Sequence, residues 1–257
     1  NQTFDDGAGT FGTILDRADL SLSIVDDVAG VRVTASGEGM GTAVVESCPG
    51  PYLTNLTDGD DVILTCGSIT ANVLIGPVEI SLGGSDSVSI GTGAIVTVDQ
   101  VDGLYTVVSD PSSTGVVTVN IGGIETILEA GATWSNPVCD AAVPSIDNLW
   151  PANHKFVGVE VLGVTDPEDD DITIVIDSIF QDEPTGGEPD GLGLGSSTAQ
   201  LRAEREGSGN GRVYHVGFTA LDGTGGSCSG EVTVSVPKSQ GKKGAAVDDG
   251  SLYDSTG

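Results

Sequence analysis

Residues 211–222 read GRVYHVGFTALD, and within them Tyr214, Val216, Phe218 and Ala220 fall at every second position. Side chains alternate between two faces on an extended chain, whereas a helical face repeats every three to four residues, so this stretch predicts a strand with one face in a core. Asn210-Gly211 just before it suits the positive φ angles of a tight reversal, so Leu201 to Gly223 reads as a hairpin. Similar period-2 runs recur from Leu20–Val25 to Glu231–Val236, separated by turn signals, and helical periodicity is hard to find anywhere. The expectation is an all-β protein.

Composition agrees. Among 257 residues there are 39 Gly and 11 Pro but only 11 aromatics, which suits short elements joined by tight turns. With 38% hydrophobic and 18% charged residues the chain can bury a core and is not of the disordered class. Acids outnumber bases 38 to 9, for a net charge of −29, which argues against nucleic acid and against an anionic membrane surface. No apolar run approaches the roughly 20 residues of a membrane span. Of the acids 26 are Asp and 12 Glu, a bias toward turns and hard-cation ligands over helices.

Composition divides the chain into four parts: an N-terminal arm over 1–37, a small β module over 38–137, a second β module over 138–238 and a polar tail over 239–257. In the arm, Leu20, Leu22 and Ile24 alternate with polar residues as in a half-buried strand with no obvious local partner. Such a strand either folds back on its own module or completes the sheet of a neighbouring copy; the second alternative is a head-to-tail contact that builds a filament.

Cys48, Cys66, Cys139 and Cys228 show no C-x-x-C spacing, which disfavours zinc and redox chemistry and leaves two disulfides as the simplest account. Cys48 to Cys66 would close one short loop and Cys139 to Cys228 would bracket one module. Stable bridges imply an oxidising compartment, outside the cell or in the periplasm, and the expectation is a secreted or cell-surface protein. The start at Asn1, without Met or an apolar leader, is what removal of a signal peptide would produce.

The strongest site expectation is calcium. Asp166, Glu168, Asp169, Asp170 and Asp171 crowd one loop, and Asp182, Glu183, Glu188 and Asp190 another. Carboxylates so dense are either solvated or neutralised by a hard cation with six to eight oxygen ligands. If the loops meet, Asp169, Asp171, Asp182 and Asp190 are the first choice of ligands, with Asp166 and Glu183 behind them. Arg202 and Arg205 read as members of cross-strand ion pairs or as anchors for an acidic loop.

Catalysis is not expected. The only histidines are His154 and His215, no G-x-S-x-G elbow exists, and the glycine-rich stretches are turns rather than phosphate loops. Trp134 and Trp150 read as packing anchors, and the sequons at Asn1 and Asn55 matter only where glycosylation occurs.

LWPANHK (149–155), QDEPTGGEPDG (181–191), LRAEREGSGNGRVYHV (201–216) and GEVTVSVPKSQGK (230–242) together resemble an immunoglobulin-like β-sandwich module of large secreted and cell-surface bacterial proteins. The stretch from Val62 to Trp134 resembles a small β module often placed before it. The resemblance implies a structural, adhesive or spacer role without catalytic activity. The resulting expectation is a non-enzymatic extracellular subunit, a filament protomer that contacts copies of itself and is stabilised by Ca2+ and disulfides. The alternative is a carbohydrate- or partner-binding module, or a spacer, of a larger secreted protein, with surface glycans as possible ligands.

Overall fold

The computed structural model describes residues 2–5, 11–14, 22–24, 32–35, 41–45, 52–56 and 60–64 and, from Gly67 onward, all but 75, 102, 242 and 243; side chains are described from Ser68. Among the described residues there is no helix. The chain is all-β and forms two compact units, Asn1–Asn136 with Thr224–Gly226, and Pro137–Gly223 with Ser227–Gly257.

The first unit opens with β1 (Gln2–Asp5) and β2 (Phe11–Ile14), paired antiparallel. The strands β3 (Leu22–Ile24), β4 (Arg32–Ala35), β5 (Gly41–Val45), β6 (Tyr52–Leu56), β7 (Asp60–Leu64), β8 (Gly67–Val73) and β9 (Val78–Gly83) follow. After them come β10 (Asp86–Ile90), β11 (Ile95–Val101), β12 (Leu104–Ser109), β13 (Val117–Ile121), β14 (Ile124–Leu128) and β15 (Thr133–Ser135). One sheet has eight strands in the order β14-β13-β10-β9-β7-β5-β4-β3, and the other has five, β15-β12-β11-β8-β6.

From β5 to β9 the chain alternates between these sheets, so β5, β7 and β9 pair parallel in one and β6 and β8 pair parallel in the other. A strand that leaves its sheet and returns in the same direction can only pair in parallel. Period-2 patterning does the rest. Val78, Ile80 and Leu82 of β9, Val96 and Val98 of β11, and Val117 and Val119 of β13 meet in one core with Trp134. Burying side chains of this kind stabilises by about 1.5–3 kcal/mol each.

In the second unit β16 (Val143–Pro144), β17 (Phe156–Leu162), β18 (Thr173–Gln181), β19 (Gly191–Leu192), β20 (Thr198–Arg202), β21 (Arg212–Leu221), β22 (Ser227–Val236) and β23 (Tyr253–Asp254) form two four-stranded sheets. Their orders are β16-β17-β20-β19 and β22-β21-β18-β23. Val159, Val161 and Leu201 from the first and Ile176, Ile179, Tyr214, Phe218 and Val234 from the second share one core. Cys139 is bonded to Cys228, with Cα atoms 5.9 Å apart, as the sequence predicts. The other expected bridge, Cys48 to Cys66, lies outside the described residues.

The expected hairpin about Asn210-Gly211 is corrected. β20 pairs with β17 and β19, whereas β21 pairs with β18 and β22, so residues 203–211 cross from one sheet to the other. Gly211 does take a positive φ, 100°, but the reversal passes across the core rather than along one ladder. The ladder partner of β21 after the turn is β22, in register from Arg212↔Val236 to Leu221↔Ser227.

Two further features position the site. A register shift at Asp177 lets β18 bury both Ile176 and Ile179, three residues apart, and so turns Gln181 inward as well. The polar segment after Pro237 forms part of the second unit: its last strand, β23, lies on the edge of β18.

Candidate functional site

Strand β18 separates the two acidic loops. Residues 166–171 precede it and residues 182–190 follow it, and at about 3.3 Å per residue its length holds the loops roughly 30 Å apart. Asp169 and Asp171 therefore share no calcium with Asp182 and Asp190, and the expected joint site is corrected: proximity in sequence was mistaken for convergence across a strand. Among the described residues no three His, Cys, Asp or Glu groups converge in a way that could hold a metal.

The second loop meets an arginine. Arg212, only 2% exposed, places Nη1 2.7 Å from Asp190 Oδ2 and Nε 3.3 Å from Glu183 Oε2. Arg202 Nε lies 3.4 Å from Asp190 Oδ1, and its Nη2 donates to Pro189 O at 2.8 Å. The Arg202 guanidinium also sits over the Phe156 ring, 4.9 Å from its centroid. Glu183 and Asp190 thus face two guanidiniums, with Glu204 Oε2 3.8 Å from Arg202 Nη1 at the outer edge, so these acids are paired by arginines rather than by a cation. Of the two roles read for these arginines, Arg202 takes that of an anchor for an acidic loop, while Arg205 donates instead to the carbonyls of Pro237 and Lys238.

Burial opposes the charge on Arg212, but Tyr214, Asp190 and Glu183 outweigh it and hold its pKa above the ordinary value. Burial likewise pushes the Tyr214 phenol well up, against the pull of Arg212. The phenol stays protonated and donates to Arg202 O at 2.8 Å.

Beside this cluster lies a seat for the C-terminal segment, 244–257. Fully buried Gln181 donates to Glu183 O at 2.7 Å and Asp190 Oδ2 at 3.1 Å, and its Oε1 accepts from Ser255 Oγ at 2.9 Å. The Ser255 carbonyl accepts from the amides of Asp190 and Gly191, both at 2.8 Å, and its own amide donates to Ile179 O at 2.9 Å. Leu252 N donates to Gln181 O, Asp249 N to Asp182 Oδ2, and Asn210 Nδ2 to Asp249 Oδ2. Asp182 uses its other oxygen to accept from Val213 N at 2.9 Å.

Two glycines make room. A Cβ on Gly191 would stand 2.7 Å from Ile179 Cγ2 and 3.0 Å from Ser255 Cβ, and one on Gly211 would stand 2.8 Å from Ala246.

His215 clamps the same segment, with Nδ1 2.8 Å from Glu231 Oε1 and Nε2 3.0 Å from Asp248 Oδ1. Burial lowers its pKa, but the two carboxylate bonds outweigh that and raise it. Carboxylates thus stand against both ring nitrogens. His154, at φ 63° and largely exposed, lies 3.0 Å from Glu204 Oε2.

The first acidic loop is built around Asp166. Its Oδ1 accepts from the amides of Glu168 and Asp170, while Oδ2 is buried without a hydrogen-bond partner. Asp170 has a raised pKa, from burial first and then from Asp166, Asp222 and Asp171. β18 and β21 run side by side and pair Thr173 with Leu221, which brings Asp222 to this loop.

Of the arm residues, Leu20 lies outside the described residues. Leu22 and Ile24 belong to β3, whose backbone pairs with β4 in the same chain, Leu22↔Ala35 and Ile24↔Val33. Trp134 is buried in the first core, as expected of an anchor, whereas Trp150 is 43% exposed.

Sequence reasoning missed Arg212, Gln181, Asp248 and Ser255. One signal existed: Arg212 is one of only nine cations in a very acidic chain and opens a long alternating strand on the face of Tyr214. In comparisons with family models, with curated proteins and with solved structures, nothing matches this chain.

Proposed function

We propose that this protein is a non-enzymatic, extracellular or cell-surface structural subunit that assembles with copies of itself by strand addition at open sheet edges. One observation carries the reading: the eight-stranded sheet of the first unit ends in β3 on one side and β14 on the other, and neither has an outer partner among the described residues. Open edges present unpaired backbone donors and acceptors and are templates for another chain. β14 adds the exposed side chains of Ile124 and Ile127. An immunoglobulin-like second unit and a disulfide-permissive compartment belong to the same proposal.

Calcium enters this reading at the first acidic loop alone. The buried, unpartnered Asp166 Oδ2 supports a hard cation there, on which Asp166, Asp170, Asp171 and Asp222 would have to draw together. A carbohydrate- or partner-binding module is the second reading, favoured by the exposed Trp150 indole.

Sedimentation and negative-stain imaging test the first reading. Polymers that disappear on deletion of residues 1–30 are the expected result, and a clean monomer at high concentration with Ca2+ present overturns it.

A further inference from the structure

The C-terminal segment is a built ligand in a built groove. Its backbone adds β23 to the edge of β18. The buried Gln181 side chain and the amides of Asp190 and Gly191 recognise Ser255. Asp182, Asn210 and His215 hold Asp249 and Asp248, and Gly191 and Gly211 leave the space in which the segment lies. Strand addition with side-chain pockets is how sheet edges take extended peptides, and every one of these bonds forms equally well whichever chain supplies the peptide.

The connector between β22 and this segment has its own character. Arg205 pins its start by the carbonyls of Pro237 and Lys238. Its described residues are tied to one another, Ser239 N to Gly244 O at 3.2 Å and Gly244 N to Gly241 O at 2.8 Å. At Gly244 a Cβ would collide with the Ser239 carbonyl oxygen. Short connectors invite the exchange of a terminal element between copies. Lys238, Lys242 and Lys243 put three of the chain's nine cations in this connector, while the chain as a whole carries −29. Opened out, the connector would bring positive charge against an acidic neighbour, the sign that association of such subunits requires.

We infer that the groove formed by Gln181, Asp182, Asp190, Gly191, Gly211 and His215 is an intersubunit docking site whose occupant in the assembled state is the C-terminal segment 244–257 of a second copy of this chain. The inference rests on the self-assembling subunit proposed above and gives that assembly a second joint, distinct from the sheet edges of the first unit. Each copy offers one groove and one segment, so the exchange either closes as a reciprocal dimer or runs head-to-tail and propagates, and the subunit reading requires the second.

Phe180 and Asp254 provide the test. They are directly opposed between β18 and β23, and the bond from Ser255 N to Ile179 O flanks them, so they form a non-hydrogen-bonded pair, whose Cα atoms stand about 4.5 Å apart, within disulfide reach. Both side chains are exposed, so cysteines there leave the core intact.

Full-length F180C and D254C are expressed separately, mixed under assembly conditions, oxidised and mapped by mass spectrometry. A 180-to-254 link between two chains is the expected result; its absence from the mixture, with the F180C/D254C double variant linking within one chain, overturns the inference.

The oxidised double variant, with its segment tied to its own groove, is expected to lose polymerisation. If it still polymerises like the unmodified chain, this inference fails and the subunit reading stands. If the interchain link forms but only closed dimers are found, the groove is confirmed and the filament reading fails.

Discussion

His215 Nε2 stands 3.0 Å from Asp248 Oδ1, so an inner strand of one sheet grips the C-terminal segment through a titratable bond. The pKa of His215 is raised in the folded protein. Its contribution is therefore fully present below the unfolded value of about 6.5 and is lost as pH rises through the folded pKa. Asp248 is lowered, by the Gly250 amide first and by His215 after it. That contribution is present above about pH 3.9 and is lost as pH falls through the folded pKa. Hydrogen exchange at the Leu252 and Ser255 amides should be slowest relative to intrinsic rates between about pH 4 and 6.5, and protection should weaken on the alkaline side. His215→Gln should remove that alkaline decline; an unchanged profile in the variant would show that another group controls it.

Arg212 pairs with Glu183 and Asp190 in a buried site, Asp190 being shared with Arg202. Removing one partner of such a cluster leaves uncompensated charge, and Arg212→Met should cost about 3–5 kcal/mol in chemical denaturation. Adding Glu183→Gln and Asp190→Asn to that variant should recover part of the loss. If the single and triple variants unfold at the same denaturant concentration, charge is not what Arg212 supplies.

Gly191→Ala tests the seat of the C-terminal segment. The added methyl meets Ile179 and Ser255, and overpacking of this kind costs about 1–3 kcal/mol. Protection should fall at Ser255 before it falls at core amides of β21. Uniform loss across the unit would mean that the segment and the sandwich open together.

The Cys139–Cys228 bridge spans a sequence separation of 89 residues. Chain entropy sets its contribution at about 4.6 kcal/mol. A C139S/C228S variant should melt well below the parent protein under oxidising conditions, and reductant should lower the parent toward the variant. A variant that melts with the parent would mean that the bridge adds nothing to the unit's stability.

Calcium at the first acidic loop should raise the melting midpoint in millimolar CaCl2 relative to EDTA, by mass action on the folded state. Asp166→Asn should abolish the difference and, without calcium, should relieve repulsion toward Asp170. A midpoint equal in CaCl2 and EDTA rejects the cation.

Much of the local structure was legible from alternation alone. The stretch 211–222 that predicts a strand contains β21, Arg212–Leu221, and the run from Glu231 to Val236 falls within β22. The bridge between Cys139 and Cys228 was readable because each half brackets one β-rich region. The calcium site was misread for a related reason: both acidic loops were visible in the chain, but the nine-residue strand that holds them apart had to be counted as length.

By itself the sequence determined that the protein is all-β, where most of its strands run and which faces they bury, because the two-residue period is a property of neighbouring residues. Only the tertiary structure decided which strands pair. β20 and β21 go to opposite sheets, β5, β7 and β9 run parallel, and the polar C-terminal segment becomes an edge strand beside buried Gln181. Pairing depends on closing contacts between residues far apart in the chain, and Arg212 meets Asp190 only after that closure; no local pattern carries that information.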